Sequence, residues 1–219
     1  MSNRPIAVIG AGGHARVVLH ALRSTGRRVE RLTDTAPGKF PNGVDGCPVI
    51  SDEELLAEFG PDLIDLAHGV GSVGPVSESH LRCRIVCRMT EAGYSFPAII
   101  HSAAWVSEAV SVGDGTQIHA GAVIQPGVQL AEYCIINTGA TVDHDCRLGA
   151  YVHVAPGVTL SGDVVVGNGS HLGTGASVIQ RIRIGRKAMV AAGAVVVRDV
   201  ADGEFVAGVP ARTVSTPPA

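Results

Sequence analysis

Stepping along the chain in sixes from Ile100, every residue reached is aliphatic: Ile100, Val106, Val112, Ile118, Ile124, Leu130 and onward without a break to Val196. Four residues beyond each stands a small or branched side chain, as at Ala122, Val128, Cys134, Ala140, Cys146 and Val152. A helix repeats its apolar face every 3.6 residues and a half-buried strand every two, so neither produces this period. The spacing calls instead for one short strand and one turn per hexapeptide, with three hexapeptides closing a triangular coil. The aliphatic residue points inward, the small one fills the corner beside it, and successive coils pair as parallel strands about 4.8 Å apart. No coil can bury its own face, so stability comes from stacking. Glycines at the second or fourth position, such as Gly113, Gly127, Gly149 and Gly167, are expected to supply turn conformations that a Cβ penalises. Cys134 and Cys146 fall in the small inward slot and read as packing residues.

Composition agrees with such a core. Apolar residues make up 46% of the chain but aromatics only 4%, with 28 glycines, which suits stacked strands better than a helical bundle. The net charge is −3, with no basic run and no aromatic–basic interleaving, which argues against nucleic acid as a partner. No apolar stretch approaches the roughly 18–20 residues of a membrane span. The N-terminus enters a strand at once (Ile6-Ala7-Val8-Ile9) without the shape of a signal peptide, so a soluble, cytoplasmic protein is expected. The five cysteines are odd in number and form no CxxC pair, so no disulfide framework is expected. Cys83 and Cys87 lie one helical turn apart, but no second ligand pair follows and no metal site is assigned.

The front of the chain reads differently, dividing it into residues 1–98 and 99–219. A strand at Ile6–Ile9 runs into Gly10-Ala11-Gly12-Gly13-His14, then a helix over Ala15–Ser24 and a strand over Val29–Thr33 ending at Asp34. Ser51 and Asp52 open a helix through Phe59; a strand at Leu63–Ala67 and the loop His68-Gly69-Val70-Gly71 follow. This βαβαβ order predicts a small Rossmann-like parallel sheet. Glycines at a strand–helix junction let backbone N–H groups approach phosphate oxygens. GAGGH lacks the last glycine of G-x-G-x-x-G, so a tight turn without ligand stands beside the phosphate reading. Asp34 is placed either to bond a ribose or base edge or simply to be a solvated strand end. A helix over Val76–Ala92 links to the coils, with Arg82, Arg84 and Arg88 expected on a solvated face.

Of the nine histidines, His20 and His80 fall on predicted helices as surface residues. The pairs His101/His119 and His153/His171 are each one coil apart, which fits either a tolerated polar column or a functional pair. His144 differs by its neighbours. In Val142-Asp143-His144-Asp145-Cys146 the imidazole lies in an outward turn between carboxylates. A carboxylate bonded to one ring nitrogen fixes the tautomer and raises the basicity of the other, as a general base needs. A plain surface histidine in a polar turn is the competing reading.

Four segments carry a resemblance that spans nearly the whole chain in order: GAGGHARVV, AIIHSAAWV, INTGATVDHDCRLGAYVHVAPGVTLSG and AAGAVVVRDVADGEFVAGVPAR. With these the chain resembles the bacterial nucleotide-sugar acetyltransferases typified by the bacillosamine and perosamine N-acetyltransferases, related to the sialic acid O-acetyltransferases. The resemblance implies that the coils form a left-handed β-helix, against the usual right-handed crossover. It also implies His144 as catalytic base, Asp145 as its carboxylate partner (many relatives carry glutamate there), Asn137 as an active-site amide, and His153 as a contact of the acetyl thioester. Family members are trimers with coenzyme A between adjacent β-helices, which implies a homotrimer here and a pantetheine running from His153 towards Thr174 and Ala192.

The expected activity is therefore direct acetyl transfer from acetyl-CoA to the amine of a nucleotide-linked amino-dideoxy sugar, such as a 4-amino-4,6-dideoxyhexose. The diphosphate is expected near Gly12, Gly13, His14 and Gly69, the nucleoside near Asp34, and the oxyanion at a backbone N–H such as that of Gly162, one coil beyond His144. No metal is required. O-acetylation of a sugar of the sialic acid type is the alternative. A zinc β-helix of the carbonic-anhydrase type needs two histidines five residues apart, which this chain lacks, and a non-catalytic scaffold is the remaining rival.

Overall fold

The computed structural model describes residues 4–77 and 80–215. The chain packs as two compact units: one holds the residues up to 71 together with 80–102, and the other holds Ser72–Ser77 together with the residues from 103 on.

In the first unit, strands β1 (Ile6–Ile9), β2 (Val29–Thr33), β3 (Val49–Ile50) and β4 (Asp65–His68) form a parallel sheet in the order β3-β2-β1-β4. Helix α1 (Gly13–Ser24) turns Ala15, Val18, Leu19 and Leu22 onto the sheet, where they pack with Ile6, Val8 and Leu32. Its spacing is that of an amphipathic helix with one apolar stripe. Helix α2 (Asp52–Glu58) opens on a reciprocal cap: Glu54 N–H donates to Ser51 Oγ at 3.1 Å, and Ser51 N–H donates to Glu54 Oε2 at 2.7 Å. Buried Asp65 on β4 is held by Arg4 at 2.9 Å and Arg27 at 3.4 Å.

Three expectations are corrected here. The last strand begins two residues late, at Asp65, because Leu63 N–H is spent on a turn back to Gly60 at 3.0 Å. The connecting helix is α3 (Leu81–Glu91), capped by His80, whose Nδ1 accepts from Arg82 N–H at 3.2 Å; positions 78 and 79 of the expected helix lie outside the described residues. Val76 is not helical: its N–H donates to Gly169 C=O at 2.7 Å, within the second unit. Arg82 is not solvated but fully buried. It shares the inward stripe of α3 with Val86 and Met89, four and seven residues on, whereas Arg84 and Arg88 are exposed.

The second unit is a left-handed parallel β-helix. Two-residue strands recur from Trp105–Val106 to Val195–Val196 and pair one coil apart in three ladders, for example Thr141 to Thr159 to Ser177 and Ile135 to His153 to His171. From Ile118 to Val196 the period-six aliphatics are at most 3% exposed; Ile100, Val106 and Val112 at the open end are only half-buried. Phe205–Ala207 extends one ladder, and Arg212–Thr213 turns back antiparallel on it. Fourth-position Gly127 has φ +78°, as the turn reading requires, but second-position Gly167 is not left-handed. A Cβ there would lie 2.6 Å from the Arg186 nitrogen, so the close approach of coils excludes it. Cys146 is buried, and desolvation foremost pushes its thiol up to about 11, which leaves it a packing residue.

Candidate active site

The strand Thr141–Val142 ends in a turn that Asp143 begins by accepting the His144 N–H on its Oδ1 at 2.8 Å. Asp145 then takes a left-handed backbone, φ +60°, and its Oδ2 accepts from His144 Nδ1 at 2.9 Å. This bond places the proton on Nδ1 and leaves Nε2 as the basic nitrogen. It is also the largest influence holding the imidazole above the usual histidine range. Slight desolvation opposes it, and the charges of Asp143, Asp145 and Asp163 reinforce it. Both side chains are exposed, at 60% and 63%. Nε2 stands over Gly162: a Cβ built there would come within 2.5 Å of it. The Gly162 carbonyl accepts from Arg181 N–H at 3.0 Å, while its own N–H has no acceptor among the described residues. The surrounding depression, about 580 Å³, is lined by His144, Asp145, Arg147, Gly162, Asp163 and Arg181.

Asn137 and His153 meet at a different corner of the same prism. Asn137 follows the strand Ile135–Ile136, one ladder before Thr141–Val142. His153 Nδ1 donates to the Ser72 carbonyl at 3.0 Å, which makes its Nε2 the acceptor for Asn137 Nδ2 at 3.4 Å. Asn137 Oδ1 in turn accepts Thr138 N–H at 2.8 Å. His171 stacks edge-on to His153, ring centroids 4.8 Å apart. Thr174 and Ala192 are exposed and share a column at this corner, with Gly193 N–H donating to Thr174 C=O at 2.8 Å.

In the first unit a cavity of about 820 Å³ opens at the carboxyl ends of β1 and β2, lined there by Ile9, Gly10, Thr33, Asp34 and Thr35. Strand order reverses beside β1, and open parallel sheets place ligands at that point. Asp34 Oδ1 accepts Ala36 N–H at 2.8 Å, which fixes its orientation. Gly12 and Gly13 are exposed at the start of α1, a helix with no side-chain cap and no acidic residue in its first turn. His14 lies over Gly71, its ring 6.4 Å from that of His68. Gly69 is buried, packed against Ala15 and Val8. The cavity's other wall is α3, through Leu81, Cys83, Arg84, Ile85, Cys87, Arg88 and Glu91. The sequence signal for this wall is a second stripe on α3 at positions 81, 84, 85, 88 and 91, roughly 120° round the helix from the buried one. Arg88 pairs with Asp52. Among the described residues no group of three or more His, Cys, Asp or Glu side chains could hold a metal, and no helix is long and apolar enough to cross a membrane.

The Asp145 contact has a direct test. Asp145→Asn removes the charged acceptor, so the His144 titration midpoint, followed by ¹⁵N NMR, is expected to fall towards that of a free histidine; an unmoved midpoint would show that the contact does not set the basicity.

Comparison with known proteins bears on both units. Residues 109–144 match the family described as bacterial transferase hexapeptide (six repeats), and residues 5–76 match the PglD N-terminal domain. No curated protein matched. PerB from Caulobacter crescentus, solved with CoA and GDP-perosamine, is 38% identical with a TM-score of 0.87, the match covering 96% of this chain and 97% of PerB. The acetyltransferase domain of PglB from Neisseria gonorrhoeae FA1090, solved with acetyl coenzyme A, is 39% identical with a TM-score of 0.88, covering 97% and 100%. A variant of the Caulobacter crescentus perosamine N-acetyltransferase with a histidine replaced by asparagine, again with CoA and GDP-perosamine, matches at 38% identity and a TM-score of 0.87 over 97% of each chain. A stack of six-residue coils behind a PglD-type front domain thus marks an acyltransferase of the hexapeptide-repeat class. Within it, at such identity over nearly the full length, the chain belongs to the nucleotide-sugar acetyltransferases that PerB and PglB represent.

Proposed function

We propose that this protein moves an acetyl group from acetyl-CoA to the amine of a nucleotide-linked amino-dideoxy sugar. The observation that carries the reading is the His144–Asp145 pair, with Nδ1 committed to the carboxylate and Nε2 left as an exposed base. As the sugar nitrogen adds to the thioester carbonyl, Nε2 takes its proton. The oxyanion that forms accepts from a backbone donor such as Gly162 N–H. Collapse of the tetrahedral species breaks the C–S bond, and the CoA thiolate recovers the proton from His144. Asn137 and His153, locked together by their hydrogen bond, line the acyl donor's path towards Thr174 and Ala192.

The nucleotide occupies the cavity at the end of the parallel sheet, with Asp34 at the ribose or base edge and Gly12, Gly13, His14 and the Gly69 loop towards the diphosphate. The unopposed start of α1 favours an anion there. Support for a nucleotide sugar comes from PerB, solved with GDP-perosamine. A homotrimer fits this reading: the dyad and the Asn137–His153 pair stand at different corners of the prism, and copies packed corner to corner would bring the two kinds together.

Two measurements test this. In thermal unfolding, nucleoside diphosphates should raise the melting temperature, because a ligand of the native state alone stabilises it; at 100 times its Kd the gain is about 2.7 kcal/mol. In a transfer assay, an aminosugar nucleotide should be acetylated and a free sugar of the sialic acid type should not. The reverse preference would make the protein an O-acetyltransferase.

A further inference from the structure

Backbone conformation alone does not single out glycine at two positions around the His144–Asp145 pair: Gly162 is not left-handed, and the left-handed turn at Gly127 is shared by non-glycine residues of its column. Counting each aliphatic as the first position, the third-position column at this corner reads Pro126, His144, Gly162, Gln180 in successive coils, and the fourth reads Gly127, Asp145, Asp163, Arg181. The third-position column accepts side chains in the coils before and after Gly162, which itself has no left-handed backbone. Gly127 is left-handed, φ +78°, but Asp145, Asp163 and Arg181 adopt the same conformation in the same column, at φ +60°, +60° and +63°. Positive φ therefore does not by itself require glycine at 127.

What both glycines share is the dyad. A Cβ at Gly162 would lie 2.5 Å from His144 Nε2 and 2.6 Å from Cε1; a Cβ at Gly127 would lie 2.5 Å from Asp145 Oδ1. Gly127 is one coil before Asp145, and Gly162 one coil after His144. We propose that Gly127 and Gly162 are positioning residues: together they form a slot across three coils, bare on both sides, that holds the carboxylate and the imidazole in hydrogen-bonding register and keeps Nε2 open to an incoming amine. The activity arm of this proposal rests on the reading of His144 as base; the geometric arm does not.

The groups facing His144 are Asp143 and Asp145 in its own turn, and Asp163, Arg147 and Arg181 around the depression. In Gly162→Ala and Gly127→Ala all of these remain, so a change in the imidazole reports displacement of the pair and not a change of charge. Both variants are expected to lower the His144 titration midpoint in ¹⁵N NMR and to weaken the preference for the proton on Nδ1. They should also cut kcat by about 10²-fold, the order of loss seen when a reacting group is misplaced by about 1 Å. Gly127→Ala should add no further loss in an Asp145→Ala background, since residues acting through one contact are not additive. An unmoved titration in both variants overturns the slot. Loss of cooperative melting in Gly162→Ala also overturns it, because the column would then need glycine for the fold. A shifted titration in a protein whose His144→Ala variant stays active keeps the slot and rejects the base.

Discussion

His144→Ala is expected to lower kcat for acetyl transfer by about 10²–10⁴-fold, the range that a positioned general base supplies. The melting temperature should not change, because the side chain is 60% exposed and packs into no core. CoA affinity should also hold. Since the imidazole must be neutral at Nε2 to act, the wild-type rate should fall as pH drops through the His144 titration, which lies above that of an ordinary histidine because of Asp145. Asp145→Asn should move that acid limb to lower pH and leave a weaker base. Full activity in His144→Ala would remove the mechanism while leaving family and fold untouched.

The largest structural effect is expected from Leu160→Ala, at about 2–5 kcal/mol. Leu160 is fully buried in mid-stack, paired in register with Val142 in the coil before and Val178 in the coil after. Each coil depends on its neighbours for burial, so a cavity there cannot be closed by a local shift without breaking ladder bonds. For a chain of this length each kcal/mol corresponds to roughly 2–4 °C in melting temperature. Val73, 95% exposed, is the control: Val73→Ala should stay within about 0.5 kcal/mol. A Leu160→Ala melting curve indistinguishable from the control would mean that the stack relaxes far more freely than close packing allows.

The β-helix was legible because its signal is periodic. One aliphatic every six residues has few structural solutions, and the spacing of one coil then predicts neighbours, such as His153 with His171 and His144 with Gly162. β1 was legible from the apolar run that enters Gly10-Ala11-Gly12-Gly13, and α2 from the Ser51 cap. Arg82 was not, since a charged residue on a helix reads as solvated until the phase of Val86 and Met89 is known. The wall that α3 contributes to the cavity stayed hidden for the same reason. Nor does local sequence announce that Ser72 reaches His153, 81 residues away. Such contacts depend on the path of a loop, and Pro75 and the glycines around it leave that path open. The slot around the dyad needed both the column register and actual distances, because its two glycines look like any others in a glycine-rich repeat.

The placement of Ser72–Ser77 has a practical result. The units are interleaved along the chain, so no single cut separates them. A fragment beginning at residue 99 would contain every coil yet lose the carbonyl that holds His153 and the N–H that occupies Gly169. Water would take over both partners, and His153 Nδ1 would lose the carbonyl that fixes its proton and so commits Nε2 to Asn137. Such a fragment should stack normally and still be defective at the corner where the thioester is expected.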